Sequence, residues 1–72
     1  MAKNNLPPME RAKLFFDRSG LSLEELGQRM GYPSDTARKS AWQFLNKTSD
    51  PRLSMLLRFA NALNISVVDI LK

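Results

Sequence analysis

The chain contains no cysteine and no histidine. Without cysteine there is no disulfide framework and no thiolate zinc site, and without histidine the other common metal ligand is missing, so no structural metal is expected. The sequence also has no glycine-rich phosphate loop and no pair of carboxylates at facing core positions. Nucleophilic and metal-assisted mechanisms therefore have no obvious residues, and the expectation is a protein that is not an enzyme, needs no cofactor and has no evident small-molecule ligand. Long hydrophobic runs are lacking. Met55-Leu56-Leu57 is typical of them, far below the ~18 residues that span a bilayer, and the amino terminus has no signal-peptide hydrophobic core. The expected location is cytoplasmic, with no membrane partner. Strict alternation of apolar and polar residues, internal repeats and low-complexity tracts are absent too, which argues against a sheet and for helices.

What is present is short and basic. A chain of 72 residues is one domain, and one this small buries only about 60–65% of its extended surface. Eleven Lys and Arg stand against seven Asp and Glu, a net +4 that suits an anionic partner such as nucleic acid.

Punctuation divides the chain into five short helices. Residues 1–6 read as a polar arm ended by Pro7-Pro8, because proline is tolerated in a first helical turn where its missing N–H is not needed. A first helix then runs to about Arg18, with Met9, Ala12 and Phe16 on one face and Phe15 beside them, and Ser19-Gly20 stops it. Ser22 with Glu25 forms a capping box for the second helix, whose Leu23, Leu26, Gly27 and Met30 make a stripe and leave Glu24, Gln28 and Arg29 in water. Gly31-Tyr32-Pro33-Ser34 supplies a turn, with Ser34 as cap of the third helix. There Ala37, Ala41, Phe44 and Leu45 form the core face, and Lys39, Trp42, Gln43 and Asn46 point away, with Arg38 at the edge. Asp50 and Pro51 start the fourth helix. Its stripe is Leu53, Leu56, Leu57, Ala60 and Leu63, widened by Met55, Phe59 and Ala62, so it reads as the central, most buried helix. Ser66 with Asp69 caps a last helix whose Val67, Ile70 and Leu71 fold back on the core.

Gly27 and Gly31, four residues apart, suit a close crossing of two helices followed by a positive-φ helix end. Together with Leu21-Ser22-x-Glu24-Glu25-Leu26-Gly27, Asn46-x-x-x-x-Pro51-x-Leu53-x-x-Leu56 and Phe59-Ala60-x-Ala62-Leu63-x-Ile65, they resemble the helix-turn-helix of the phage repressor and Cro family across nearly all of the chain. The resemblance implies a compact, all-α, five-helix lambda-repressor-like domain, with the helix-turn-helix at about 22–47. It implies a ligand as well: double-stranded DNA, bound by a small transcriptional regulator whose third helix lies in the major groove.

On that resemblance, the positions matching the family's base-reading residues are Arg38, Lys39 and Gln43, whose donors fit guanine O6/N7 and adenine. Phosphate contacts map to Ser22, Asn46, Lys47, Thr48 and Arg52. Two departures from the family pattern bear on this. The stretch from Gly31 to Asn46 is longer by about four residues, or ~6 Å of helix. Pro33 and Ser34 favour an added turn at the start of the third helix, in which case Ser34, Asp35 and Thr36 also reach the DNA. The second departure is Phe16 and Leu45, apolar where many members carry an Arg–Glu ion pair between the first and third helices, a replacement that removes the desolvation penalty from both partners.

Trp42 admits three readings: packed against a neighbouring helix, facing the groove against a thymine methyl or a sugar, or contacting a partner. Packing is slightly favoured, because aromatic residues at helical spacing more often pack than read. Gly27→Val should overpack the helix crossing, whereas Gly27→Ala should be mild or stabilising. Residues 64–70 correspond to the surface through which family members often dimerise, and a weak homodimer is expected. The alternative function is a protein-binding module of the same fold, such as an antitoxin or a phage accessory protein, with weak DNA binding.

Overall fold

Five helices follow one another in the computed structural model, α1 (Pro8–Ser19), α2 (Leu23–Arg29), α3 (Ala37–Lys47), α4 (Leu53–Leu63) and α5 (Val67–Leu71), with no strand among the described residues. The structure describes residues 7–71; the stretch 1–6 read above as a polar arm lies outside them, as does Lys72. Each boundary has a local cause. Pro7 precedes α1 in an extended conformation and its carbonyl accepts from the N–H groups of Glu10 and Arg11, while Gly20 ends the helix at φ 78°. The α2 capping box is present in both directions: the Ser22 hydroxyl accepts from the Glu25 N–H, and the Glu25 carboxylate accepts from the Ser22 N–H, each at 3.1 Å.

The end of α2 is a paired hydrogen-bond cap. Tyr32 N–H donates to the Gly27 carbonyl and Gly31 N–H to the Gln28 carbonyl, both at 3.0 Å, which requires the left-handed backbone that Gly31 adopts at φ 99°. The same arrangement closes α4. Ile65 N–H donates to Ala60 and Asn64 N–H to Asn61, with Asn64 left-handed at φ 59°. Asn is the non-glycine residue that tolerates this best, because its short side chain can bond locally. In the last connection Ser66 N–H donates to the Asp69 carboxylate at 3.3 Å and Val68 N–H to the Ser66 hydroxyl at 3.2 Å, so α5 starts where the sequence placed it.

The core is built from all five helices: Met9 and Ala12 of α1, Leu26 with the adjoining Met30, then Ala41, Phe44 and Leu45, Leu56, Phe59, Ala60 and Ala62, and Ile70. The rings of Phe44 and Phe59 meet at 5.6 Å, tying α3 to α4 by a tilted aromatic contact. Phe16 is half-buried and packs on this cluster, which includes Leu45, and α1 and α3 are in contact. Burying such side chains stabilises by about 1.5–3 kcal/mol each, the main favourable term for so short a chain.

Four boundary and burial expectations are corrected. Helix α3 begins at Ala37 with Thr36 as its cap, not at Ser34, because the Pro33 carbonyl accepts the Thr36 N–H at 3.1 Å and closes a separate turn ahead of the helix. Pro33, Ser34, Asp35 and Thr36 therefore belong to the turn and do not extend the helix. Helix α4 begins at Leu53, capped by Arg52 and not by Asp50, since the Arg52 carbonyl receives the N–H groups of Met55 and Leu56. Its rotation is set by the fully buried Phe59, which leaves Leu53 58% and Leu57 44% exposed instead of in the stripe. Leu71 is also out, at 49%, because Ile70 takes the inward position of the short α5. Arg29 is exposed, as expected, and its guanidinium also donates to the Ala62 carbonyl at 3.2 Å, satisfying one of the free acceptors at the end of α4 and linking it to α2.

Candidate nucleic-acid interface

The site begins with how α3 is held. Helices α2 and α3 make the most extensive contact of any pair. Gly27 is buried at the crossing, where a Cβ would fall 2.8 Å from the Ala37 Cα and closer still to its carbonyl carbon and oxygen. The absence of a side chain at Gly27 lets the first residue of α3 rest on the backbone of α2. From there Ala37, Ala41, Phe44 and Leu45 bury one face of α3, as the spacing predicts.

The opposite face is free. Arg38, Lys39, Trp42, Gln43, Asn46 and Lys47 are all exposed, and no acidic residue lies in α3. Among the described residues the one ion pair within 4.0 Å is Lys13 with Glu10, so Arg38, Lys39, Lys47 and Arg52 hold no carboxylate directly, although Asp35 lines the cleft of the first two and Asp50 the groove of the last two. An unpaired exposed cation is available to a phosphate or a base edge without first breaking an intramolecular bond.

Two clefts flank this face. On the α4 side a 550 Å³ groove runs between Gln43 and Lys47 of α3 and Thr48 and Arg52 beyond it, floored by Tyr32 and Met55. The Tyr32 hydroxyl points at the Met55 sulfur, 4.0 Å away, which ties the turn to α4 beneath that groove. On the α2 side a 410 Å³ cleft is lined by Leu23, Asp35, Arg38, Lys39 and Trp42. A smaller hollow of 270 Å³ places Ser22 and Arg38 together, joining the start of α2 to the start of α3.

The residues singled out from sequence thus fall into two groups. Arg38, Lys39, Trp42 and Asp35 share one cleft, and Gln43, Lys47, Thr48 and Arg52 share the other. Ser34 and Thr36 are exposed in the turn before α3, so they precede the helix instead of extending it. Several neutral groups are already engaged. The Thr36 hydroxyl donates to Pro33 at 3.4 Å, the Thr48 hydroxyl to Gln43 at 3.5 Å, and Asn46 Nδ2 to Trp42 at 3.0 Å, all to carbonyl oxygens. A hydroxyl has one proton to give, so Thr36 and Thr48 must release these carbonyls before they can donate to a phosphate. Ser22 keeps its hydroxyl proton, because its oxygen accepts from Glu25.

Trp42 is not a core residue. It is 44% exposed, and Lys47 Nζ stands 5.7 Å from its ring centroid, within the range of a cation–π contact. Of the readings offered by the sequence, a buried core position is therefore excluded: Trp42 stands on the outer face of α3 with Leu23 of the neighbouring α2 across the cleft. Leu23 and Ser40 were not read from the sequence as part of this surface. Ser40 precedes Gln43 and Lys47 by three and seven residues, a same-face spacing that could have identified it. No protein-family model matches the chain, and no curated protein or solved structure proves similar to it.

Proposed function

We propose that this chain is a sequence-specific double-stranded DNA-binding protein, a small transcriptional regulator of the repressor and Cro type. In this reading α2, the turn and α3 act as a helix-turn-helix, and α3 enters the major groove. The observation that supports it most is the outer face of α3, where Arg38, Lys39, Gln43 and Lys47 are exposed on a helix with no acidic residue, while the opposite face is buried. A helix about 10–12 Å across with its side chains fits a B-form major groove about 12 Å wide, and the eleven residues of α3 would run about 16 Å along it. Arg38, Lys39 and Gln43 then read base edges. Lys47 and Arg52, on either side of the neighbouring groove, grip the backbone.

The test is a salt titration of duplex binding combined with selection from a random duplex pool. With roughly four to six phosphates neutralised per protomer, log affinity should fall against log salt with a slope of about −4 to −5. A slope near zero overturns the DNA reading. A two-fold symmetric selected sequence would place two protomers on the site; the surface at 64–70, where Val68 is 53% exposed, is the proposed weak dimer contact.

A second reading, a protein-binding module of the same fold, is favoured by one feature. Leu53 and Leu57, 58% and 44% exposed, sit one turn apart on α4, an apolar pair that DNA recognition does not use. Flat, weak duplex binding would favour it.

A further inference from the structure

The cleft between α2 and α3 holds a combination of groups that phosphate binding does not require. Its wall is apolar: the Trp42 indole, 44% exposed, and the half-buried Leu23. Arg38 and Lys39 stand at its edge as donors, and Asp35, in the turn before α3, is its one carboxylate. Lys47 lies over the Trp42 ring at 5.7 Å, which makes the ring part of the charged outer face and not an isolated surface aromatic. An anion alone would be served by the cations and repelled by Asp35. A wholly apolar ligand would not need three charged groups around it.

We propose that this cleft reads a T·A base pair, with the thymine C5 methyl seated against Trp42 and Leu23; the inference rests on the DNA-binding reading above. In the major groove thymine presents a methyl and an O4 acceptor, and its adenine partner presents an N6 donor beside them. The cleft offers the complement of each: an apolar wall for the methyl, Lys39 to donate to O4, and Asp35 to accept from N6. Cytosine has neither the methyl nor the acceptor. Trp42 is thus a specificity-determining residue, and the longer turn matters because it carries Asp35 to the mouth of the cleft.

The experiment takes the selected duplex and replaces each thymine in turn by deoxyuridine, which removes only the methyl. Binding is read by anisotropy of labelled DNA for wild type, Trp42→Ala and Trp42→Phe, with circular dichroism of each protein. For wild type, one thymine per protomer should show a loss of about fourfold, the equivalent of about 0.8 kcal/mol for one buried methyl. In Trp42→Ala that sensitivity should vanish while the other thymines behave as before, and Trp42→Phe should keep part of it. The wild-type scan needs no variant to fold. Indifference of wild type to deoxyuridine at every position overturns the proposal and leaves DNA binding standing, as does equal sensitivity in wild type and Trp42→Ala. If 5-methylcytosine in place of cytosine raises affinity through Trp42 and thymine does not, the assignment to thymine is overturned. If wild type binds no duplex at all, the DNA reading fails and this inference fails with it.

Discussion

Adding one methyl group at Gly27 should unseat α3. In an isolated helix Gly→Ala stabilises by about 1 kcal/mol, which is why Gly27→Ala reads from sequence as harmless. The geometry reverses that sign. The new Cβ would lie 2.5 Å from the Ala37 carbonyl carbon and closer still to its oxygen, and ordinary contact starts at 3.4 Å, so the two helices must part by at least 0.9 Å. The obstructing atoms are backbone, so no side-chain rotation relieves them. Moving α3 disturbs Ala37, Ala41, Phe44 and Leu45 together. Overpacking of this kind costs about 1–3 kcal/mol and sometimes more, and the high end applies because the clash is with a helix start. Net of the propensity gain, a loss of about 2 kcal/mol is expected. At roughly 0.05–0.15 kcal/mol per residue the whole domain holds about 4–11 kcal/mol, so this is a large fraction. Thermal unfolding followed by circular dichroism should show a midpoint about 8–16 °C lower, with Gly27→Val lower again. Gln28→Ala, exposed on the next residue, is the control and should be near neutral. A Gly27→Ala midpoint equal to or above wild type would refute the close approach.

At the other paired cap, Asn64→Ala should lose about 1 kcal/mol and Asn64→Gly should lose nothing or gain slightly, because φ 59° penalises a Cβ that cannot bond locally; denaturant midpoints decide it. Phe16→Arg or Leu45→Glu alone should destabilise by several kcal/mol, since each puts an unpaired charge into or against the core. Together they should recover part of the loss, and strictly additive losses in the double-mutant cycle would show that the two positions do not couple. For DNA, Arg38→Ala and Gln43→Ala should each relax preference at particular base pairs by about 1–3 kcal/mol, while Lys47→Ala weakens all sequences alike. An unchanged selected sequence in both Arg38 and Gln43 variants would move base reading elsewhere.

Local chemistry made much of this chain legible. The Ser22–Glu25 box, the positive φ at Gly31 and the core face of α3 all follow from residues within a turn of one another. Contacts between distant segments decided the rest. Ser34 is as good a cap in sequence as Thr36, and the later start goes with the turn closed between Pro33 and Thr36 and with the seat of Ala37 on Gly27. In α4 eight of eleven residues are apolar, so the pattern defines no unique inward face until Phe59 meets Phe44. Arg29 finds its acceptor 33 residues away, beyond any periodicity. The candidate surface was legible as a set of cations with Trp42 on the outward side of α3, but not the engagement of Thr36 and Thr48 with carbonyls or the part Leu23 takes in the cleft with Trp42.

The contact between α1 and α5 has a kinetic consequence. Neighbouring helices such as α2 and α3 meet through a short turn, whereas α5 must return across three helices to reach α1 and bury Ile70 completely. Closing a loop of nearly fifty residues costs about 1.5–2 kcal/mol more in entropy than closing the short connection between α2 and α3. Short-range pairing is therefore the early event in folding and the α1–α5 seam the late one. During synthesis α1 emerges long before its partner, and its apolar face waits uncovered. The seam is also where the native state should open first, with amide exchange in α5 running ahead of that in α3. The exposed face of α3 would then stay assembled while the α1–α5 seam breathes.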